Sequence, residues 1–106
     1  MDDVLTGLLR PKGIAVIGAS TTPGKIGHTV VKNLIESGYD GGVYPVNPSA
    51  DEILGLKVYK SVLDIPEQVE AAAITIPAKF VLDVAKECGE KGVKGLIVIT
   101  SGFSEV

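Results

Sequence analysis

Short, unbroken apolar runs alternate with longer amphipathic stretches along this chain. The runs are rich in β-branched and small residues, which is typical of strands buried on both faces of a parallel sheet. Strands are therefore predicted at 13–17, 43–46, 57–59, 71–76 and 95–99. The amphipathic stretches carry apolar residues at helical spacing, and they predict helices at 3–10, 26–35 and 78–91.

The chain between the predicted strands at 43–46 and 71–76 is more polar. We expect a loop with one helical turn at 49–55. We also expect a one-turn helix that begins after Ser61, because Ser61 and Asp64 have the spacing of a capping box. Pro45 has no N–H group, so the strand at 43–46 must lack a partner on one side there or be irregular.

The order of these elements is strand, helix, strand, short strand, strand, helix, strand. Such an order predicts right-handed crossovers, and the expected fold class is α/β, a Rossmann-like three-layer domain with a mostly parallel sheet and helices on both faces. In the spatial order 3-2-1-4-5, the strands ending at Ile17 and Ile76 flank the point where ligands bind beyond the carboxyl ends. The loops at 18–27, 76–78 and 100–103 are therefore expected to converge.

Composition adds limits to this picture. The chain has 106 residues, 45% hydrophobic and 22% charged, so we expect one domain spanning 1–106. The net charge is −3 and the basic residues are scattered, which argues against a nucleic-acid partner. Cys88 is the single cysteine, so neither an internal disulfide nor a metal site is expected. The acidic start at 1–3, and the lack of an apolar run of about 18 residues, favour a cytoplasmic protein without a membrane segment.

The turn from Gly18 to Gly27 holds the candidate chemistry. It follows a buried strand and opens a helix, whose N-terminus gathers free backbone N–H groups and the positive end of the helix dipole. Such a point binds anions. The spacing excludes a mononucleotide P-loop, because five residues separate Gly18 from Gly24, and Lys25 is followed by Ile26 rather than by a hydroxyl residue that would hold Mg²⁺.

A dinucleotide-binding fingerprint is also poorly matched. A Gly-x-Gly-x-x-Gly motif that begins at Gly18 would place Ser20 and Pro23 in the second and third glycine positions. An NAD-binding strand also ends in an acidic side chain, whereas the second strand here is followed by Asn47 and Pro48. An NAD(P)-binding redox domain nevertheless stays open as an alternative.

Five motifs together resemble one family. They run in the same order over roughly residues 8–106, and they are Gly18-Ala19-Ser20, Pro23-Gly24-Lys25-Ile26-Gly27, Tyr44-Pro45-Val46-Asn47-Pro48, Ile76-Pro77-Ala78 and Ile99-Thr100-Ser101-Gly102-Phe103-Ser104-Glu105. These motifs are similar to those of the N-terminal CoA-binding domain of ADP-forming acyl-CoA synthetases of the acetate–CoA ligase type, relatives of the succinyl-CoA synthetase alpha subunit. The resemblance implies a Rossmann-like domain that binds coenzyme A across the strand ends, with the ADP part near the first glycine turn.

The resemblance, carried over position by position, also implies which residues contact CoA. Backbone N–H groups from Ser20 onward and the cation of Lys25 meet the needs of the pyrophosphate and the 3′-phosphate. The candidate CoA-binding residues are Gly18, Ala19, Ser20, Lys25, Ile26, Asn47, Pro48, Ile76, Pro77, Thr100 and Ser101. No catalytic residue is assigned, because neither Ser101 nor Ser104 has a base available to activate it. No metal ligand is assigned either.

Finally, the resemblance implies that other parts complete the reaction. In the family a second subdomain carries a histidine that relays phosphate, and His28, the single histidine of this chain, does not match that position. We therefore expect a fragment of a longer ligase that does not complete the reaction alone, with the remaining subdomains, or a subunit with an ATP-grasp domain, as partners. The alternative is a stand-alone CoA- or nucleotide-binding module without catalysis. The sheet edge at Ile99 predicts self-association or marginal stability of the isolated chain.

Overall fold

The computed structural model describes residues 12–99, and these form strands and helices in the predicted order. The elements are β1 (Ile14–Ile17), α1 (Ile26–Glu36), β2 (Val43–Val46), β3 (Glu52–Ile53), β4 (Leu56–Lys57), a 3₁₀ helix (Val62–Asp64), β5 (Ala71–Ile74), a second 3₁₀ helix (Ala78–Phe80), α2 (Val81–Lys91) and β6 (Gly95–Val98). The helix expected at 3–10 and the candidate residues Thr100 and Ser101 lie outside the described residues. Within 12–99, neither α-helix is long and apolar enough to cross a membrane.

The main sheet within residues 12–99 has four parallel strands in the order β2-β1-β5-β6. Tyr59 adds a single parallel bridge to Val46, on the side of β2 away from β1. The short strand expected at 57–59 does not form in this sheet, because Lys57 belongs to β4 and Tyr59 contributes this bridge alone. The four strands that do form lie in the relative order 2-1-4-5 of the arrangement considered above. The N–H of Tyr59 donates to the carbonyl of Pro45 at 2.9 Å, so the side of Pro45 that lacks an N–H faces away from β1, as an edge position requires.

Both faces of the central strands β1 and β5 are buried, as their unbroken apolar runs predict. Along β1, Ala15 and Ile17 pack in one cluster and Val16 in the other, because successive strand side chains point to opposite faces. Cys88 of α2 belongs to the first cluster and Val31 of α1 to the second, and both are buried. Burial raises the pKa of the Cys88 thiol, so this side chain packs as a small apolar group. The Rossmann-like architecture with a helix on each face is confirmed.

The segment at 49–55 is not the loop with a helical turn that its polarity suggests. The strands β3 and β4 pair antiparallel as a small hairpin. They are joined by Leu54 and Gly55, which have φ angles of 51° and 83°, and two successive residues with positive φ are what a type I′ hairpin turn requires. Ile53 is buried in the cluster that also contains Val31, so tertiary packing of one side chain stabilises a hairpin too short to stand alone.

Within the described residues, β6 forms an edge of the sheet and pairs with β5 alone. Leu96, Ile97 and Val98 are 43%, 61% and 46% exposed. This exposure agrees with the edge strand expected from the sequence. Self-association of the isolated chain stays a prediction.

Glu70 connects the starts of three strands. Its carboxylate accepts the backbone N–H of Lys12, ahead of β1, at 2.7 Å and lies 3.5 Å from the Nζ of Lys94, ahead of β6. The hydrogen bond from Lys12, followed by the charge of Lys94, lowers the pKa of Glu70 despite some desolvation. We expect Glu70→Gln to lower the melting temperature at neutral pH, because a neutral amide weakens both contacts.

The pH dependence of this effect follows from the direction of the pKa shift. A lowered folded-state pKa means that the ionised Glu70 stabilises the fold above the ordinary glutamate pKa, and that this contribution is lost as the pH falls through the folded-state value. The difference in melting temperature between the wild type and Glu70→Gln should therefore be largest near neutral pH and disappear in acid. The exposed Glu67→Gln variant is the control. A difference that stays constant down to low pH would contradict the assigned role of Glu70.

Candidate functional site

The carboxyl ends of β1, β2 and β5 meet at one edge of the sheet. Ile17 stands opposite Ile74 on one side of β1 and opposite Val46 on the other. The chain segments that leave these three strands are therefore neighbours. The predicted convergence of the loops at 18–27 and 76–78 is confirmed, whereas the loop at 100–103 lies outside the described residues.

Gly18, the first residue after β1, contacts the loop that leaves β5. Thr75 donates its backbone N–H at 2.8 Å and its hydroxyl at 2.9 Å to the carbonyl of Ile17. This side-chain bond competes with continuation of the ladder, and β5 ends at Ile74 rather than at the expected Ile76. Gly18 has a φ of +92°, and a Cβ there would lie 2.6 Å from the Oγ1 of Thr75. The site therefore requires glycine at this position.

Gly27 lets α1 approach the end of β1. A Cβ on Gly27 would lie 2.0 Å from the carbonyl oxygen of Gly18 and 3.0 Å from the Cα of Ala19. In the dinucleotide-binding fingerprint, the third glycine allows this close packing of helix and strand. Gly27 allows the same close packing here, although more residues separate it from Gly18 than the fingerprint has between its first and third glycines. The sequence comparison placed Pro23 in the third glycine position and therefore did not identify Gly27.

The start of α1 offers hydrogen-bond donors without a competing acidic group. Lys25 is the N-cap, its side chain makes no capping bond, and the first turn contains no acidic residue. The backbone N–H groups of Ile26 and Gly27 lie in this turn, where an α-helix supplies no acceptor. The Ser20 hydroxyl accepts the N–H of Thr22 at 3.0 Å and keeps its own proton to donate. Together these groups suit an anion.

Asn47 ties the end of β2 to the glycine turn. Its Nδ2 donates to the carbonyl of Ala19 at 2.7 Å, and its Oδ1 accepts the N–H groups of Ser49 at 2.7 Å and Ala50 at 3.0 Å. The side chain therefore holds two loops in place from within. A direct contact between Asn47 and a ligand stays a prediction.

A cavity of about 200 Å³ lies beside the glycine turn. It is bounded by the carboxyl ends of β1 and β2, by the loop after β5, by the segment at 60–62 and by α2. Most of its lining is apolar and comes from Ile17, Val46, Pro48, Val62, Ile76 and Val84. Such a lining suits the apolar part of a ligand whose charged part lies elsewhere.

Three polar side chains also line the cavity. Ser61 donates its hydroxyl to the Oε1 of Glu87 at 2.9 Å and caps the following 3₁₀ helix, as predicted. The Nζ of Lys60 donates to the carbonyl of Pro48 at 3.3 Å. Sequence reasoning did not single out Lys60 or Glu87. The available signal for Glu87 was its position three residues after Val84 on α2, which places a carboxylate beside an apolar helix face.

Three of the residues predicted to bind CoA line this cavity, and they are Gly18, Pro48 and Ile76. The other predicted residues of the glycine turn and of the helix start, Ala19, Ser20, Lys25 and Ile26, are not part of its lining. Pro77 is exposed and precedes the second 3₁₀ helix. The structure therefore presents two adjoining subsites, a polar turn and an apolar cavity, which share Gly18.

Known proteins match this sequence over most of its length. The model of a family described as CoA binding domain matches residues 12–105. The alpha subunit of acetate–CoA ligase [ADP-forming] I from Pyrococcus furiosus is 56% identical, over 96% of this chain and 23% of that protein. Acetate–CoA ligase [ADP-forming] II from Archaeoglobus fulgidus is 54% identical, over 95% of this chain and 15% of that protein.

A solved structure has the same fold. The dinucleotide forming acetyl-coenzyme A synthetase 1 of Ca. Korarchaeum cryptofilum, in complex with phosphate and ADP, matches with a TM-score of 0.88 at 50% identity. The match covers 95% of this chain and 22% of that one. The chain thus spans less than a quarter of the length of each of these three proteins.

Proposed function

Since this chain belongs to the CoA binding domain family, we propose that it binds coenzyme A, with the ADP portion at the turn from Gly18 to Gly27. The observation that carries the proposal is the start of α1, where Lys25 makes no capping bond and the first turn has no acidic residue. Gly27 holds this helix start against the end of β1. A pyrophosphate supplies the negative charge that such a cluster of donors requires.

The residues at this edge fit the chemical groups of CoA. The N–H groups of the first turn and the hydroxyl of Ser20 would donate to the pyrophosphate, and Lys25 would add a positive charge. Asn47 would hold the turn in shape through its bond to Ala19. The family resemblance adds Pro77 on the nucleotide side, and Thr100 and Ser101 on the pantetheine side. CoA would act here as a substrate rather than as a permanently bound cofactor.

The chain would serve as the CoA-binding module of an ADP-forming acid–CoA ligase. The ligases from Pyrococcus furiosus and Archaeoglobus fulgidus support this assignment through identities of 56% and 54%. The complete reaction would convert an acyl-CoA, ADP and phosphate into the acid, CoA and ATP, or the reverse. Further subdomains, or a subunit with an ATP-grasp domain, would supply the phosphate relay and the acid specificity. Such an enzyme would work in the cytoplasm.

The alternative functions lack comparable support. An NAD-binding domain places a carboxylate at the end of the second strand to bind the ribose. Asn47 occupies that position, and its amide already donates to the carbonyl of Ala19 at 2.7 Å. A stand-alone module without catalysis gains no support from the two ligases, which are much longer than this chain.

Titration calorimetry of the 106-residue chain with CoA, dephospho-CoA, ADP and NAD tests the proposal. We expect saturable binding of CoA and none of NAD. Lys25→Ala should weaken CoA binding by about fivefold, since an exposed cation beside an anion contributes at most about 1 kcal/mol. The exposed Lys32→Ala variant on the same helix is the matched control and should bind CoA as the wild type does.

The possible outcomes bear on different parts of the proposal. Tight binding of NAD together with no binding of CoA would overturn CoA binding as the function. Unchanged CoA affinity in Lys25→Ala would remove this side chain from the site but leave the contribution of the backbone donors.

A further inference from the structure

The edge strand β6 carries exposed apolar side chains that the proposed function does not use. We infer that β6 pairs with β6 of a second copy of this chain, antiparallel and about a two-fold axis at Ile97, so that two four-stranded sheets join into one. This inference goes beyond the proposed function and does not depend on CoA binding, because the candidate site lies at the carboxyl ends of β1, β2 and β5.

The two edges of the sheet differ in how they are protected. At β2, Pro45 lacks a backbone donor, and Tyr59 covers part of the edge through its bridge to Val46. Proline and covering segments are means by which folded proteins prevent strand pairing. The stretch from Gly95 to Ile99 contains no proline and no charged residue, and within residues 12–99 no strand lies on the outer side of β6. This edge is therefore open to another strand.

The backbone of β6 presents matching donors and acceptors at this edge. The N–H groups of Gly95 and Ile99 donate toward β5, at 3.1 Å and 2.8 Å. The backbone groups of successive strand residues point to opposite sides, so the N–H and C=O groups of Leu96 and Val98 point outward. In an antiparallel pair, Leu96 of one copy and Val98 of the other would exchange both hydrogen bonds. A two-fold axis at Ile97 repeats this exchange, so all four outward groups of each copy are paired.

The same register covers apolar side chains on both faces of β6. Leu96 and Val98 stand opposite Ala72 and Ile74 of β5 and project from the α2 face, whereas Ile97 between them projects from the α1 face. Directly opposed residues of antiparallel strands project from the same face and contact each other. Each Leu96 would therefore contact a Val98, and the two Ile97 side chains would meet, with their Cα atoms about 4.5 Å apart.

Leu82 of α2 extends this apolar surface. Val84 and Glu87 line the cavity, which is bounded by β1 and β2. At 3.6 residues per turn, Leu82 lies roughly 140–160° round the helix from them, which is the side of β6, and it is 66% exposed. This surface is still much smaller than the roughly 20–30 residues a side of a standard interface. We therefore expect a weak, reversible dimer with a dissociation constant of about 100 μM.

Sedimentation equilibrium of the 106-residue chain tests the pairing at concentrations from about 10 to 500 μM, which bracket the expected dissociation constant. Ile97→Lys should stay monomeric throughout, because two ammonium groups would meet at the axis. Leu54→Lys is the matched control, since it changes an exposed leucine of the β3–β4 turn, and it should dimerise as the wild type does. Thermal melting of dilute samples checks that both variants fold.

Val98→Pro tests the strand pairing itself. Because the N–H of Val98 points outward, proline removes two of the four intermolecular hydrogen bonds and none of the bonds to β5. We expect the dimer to weaken by at least about tenfold. In wild-type protein, the amides of Leu96 and Val98 should exchange hydrogen more slowly as the concentration rises, whereas the amide of Ile97, which faces β5, should be protected at every concentration.

Four results would overturn the inference. They are a wild-type monomer at every concentration, a dimer unchanged in Val98→Pro, growth beyond a dimer, and protection of Leu96 and Val98 in the monomer, which would mean that the same chain covers the edge. Ile97→Lys should bind CoA as the wild type does, so failure of the pairing leaves the proposed function standing. A dimer that binds no CoA would overturn the proposed function and leave the pairing standing.

Discussion

Gly27→Ala is expected to abolish measurable CoA binding and to lower the free energy of unfolding by about 3 kcal/mol, as overpacking of a rigid contact does. The new Cβ would lie 2.0 Å from the carbonyl oxygen of Gly18 and 3.0 Å from the Cα of Ala19. Both neighbours are backbone atoms, so no side-chain rotation relieves the overlap. The helix α1 must move away from β1, and the N–H groups of its first turn must leave the phosphate position with it.

Urea unfolding and CoA calorimetry measure the two effects of Gly27→Ala. Gly89→Ala is the matched control, because Gly89 lies within α2 and a Cβ there meets no atom within 4 Å. Removing a glycine from an open helix position should stabilise the protein by about 0.5–1 kcal/mol and leave CoA binding intact. A Gly27→Ala protein with wild-type stability and CoA affinity would show that the site does not depend on this close approach.

Asn47→Ala is expected to lower the free energy of unfolding by about 2 kcal/mol, because three side-chain hydrogen bonds of about 0.5–1.5 kcal/mol each are lost and water replaces them in part. We also expect CoA affinity to fall by more than about tenfold. Without the bond to Ala19 the glycine turn keeps only the backbone bond from the N–H of Gly18 to the carbonyl of Val46 as its link to β2, and the backbone donors are held less firmly in one arrangement. Urea unfolding and CoA calorimetry again provide the measurements.

Asn47→Asp separates the two loops that Asn47 holds. A carboxylate can still accept the N–H groups of Ser49 and Ala50, but it cannot donate to the carbonyl of Ala19. We expect the stability of this variant to lie between those of the wild type and Asn47→Ala. Its CoA affinity should be no higher than that of the alanine variant, since a negative charge is added beside an anion site. Equal CoA affinity in all three proteins would contradict the proposed role of Asn47.

The sheet was predictable from the sequence because its central strands carry an unmistakable pattern. The β1 segment IAVI and the β5 segment AAAI contain no polar residue, and both are buried from two sides. The hairpin of β3 and β4 was not predictable in this way. Each of its strands has two residues, which is too short for any periodicity, and its turn holds Leu54 at a φ of 51°, where glycine would be expected. Burial of Ile53 decides that structure, and burial is a tertiary property.

The site was predictable to the extent that it lies in continuous sequence. The order of the five motifs identified the family, and the match of the family model to residues 12–105 confirms it. The role of Gly27 depends on the distance between two backbone segments, which no spacing rule contains. Ser61 and Glu87 are 26 residues apart, and only the packing of α2 on the sheet brings them together. Their pairing therefore became visible only in the folded chain.

Gly18 lies at the junction of the polar turn and the apolar cavity, and this has a kinetic consequence. A ligand that filled both subsites would be bivalent, because the covalent link keeps its second group at high effective concentration once the first is bound. The two halves of such a ligand, supplied as separate molecules, would then be poor substitutes for the intact ligand, even though both subsites remained available. Dissociation would begin with one end of the ligand, and that end would usually rebind before the other end dissociated.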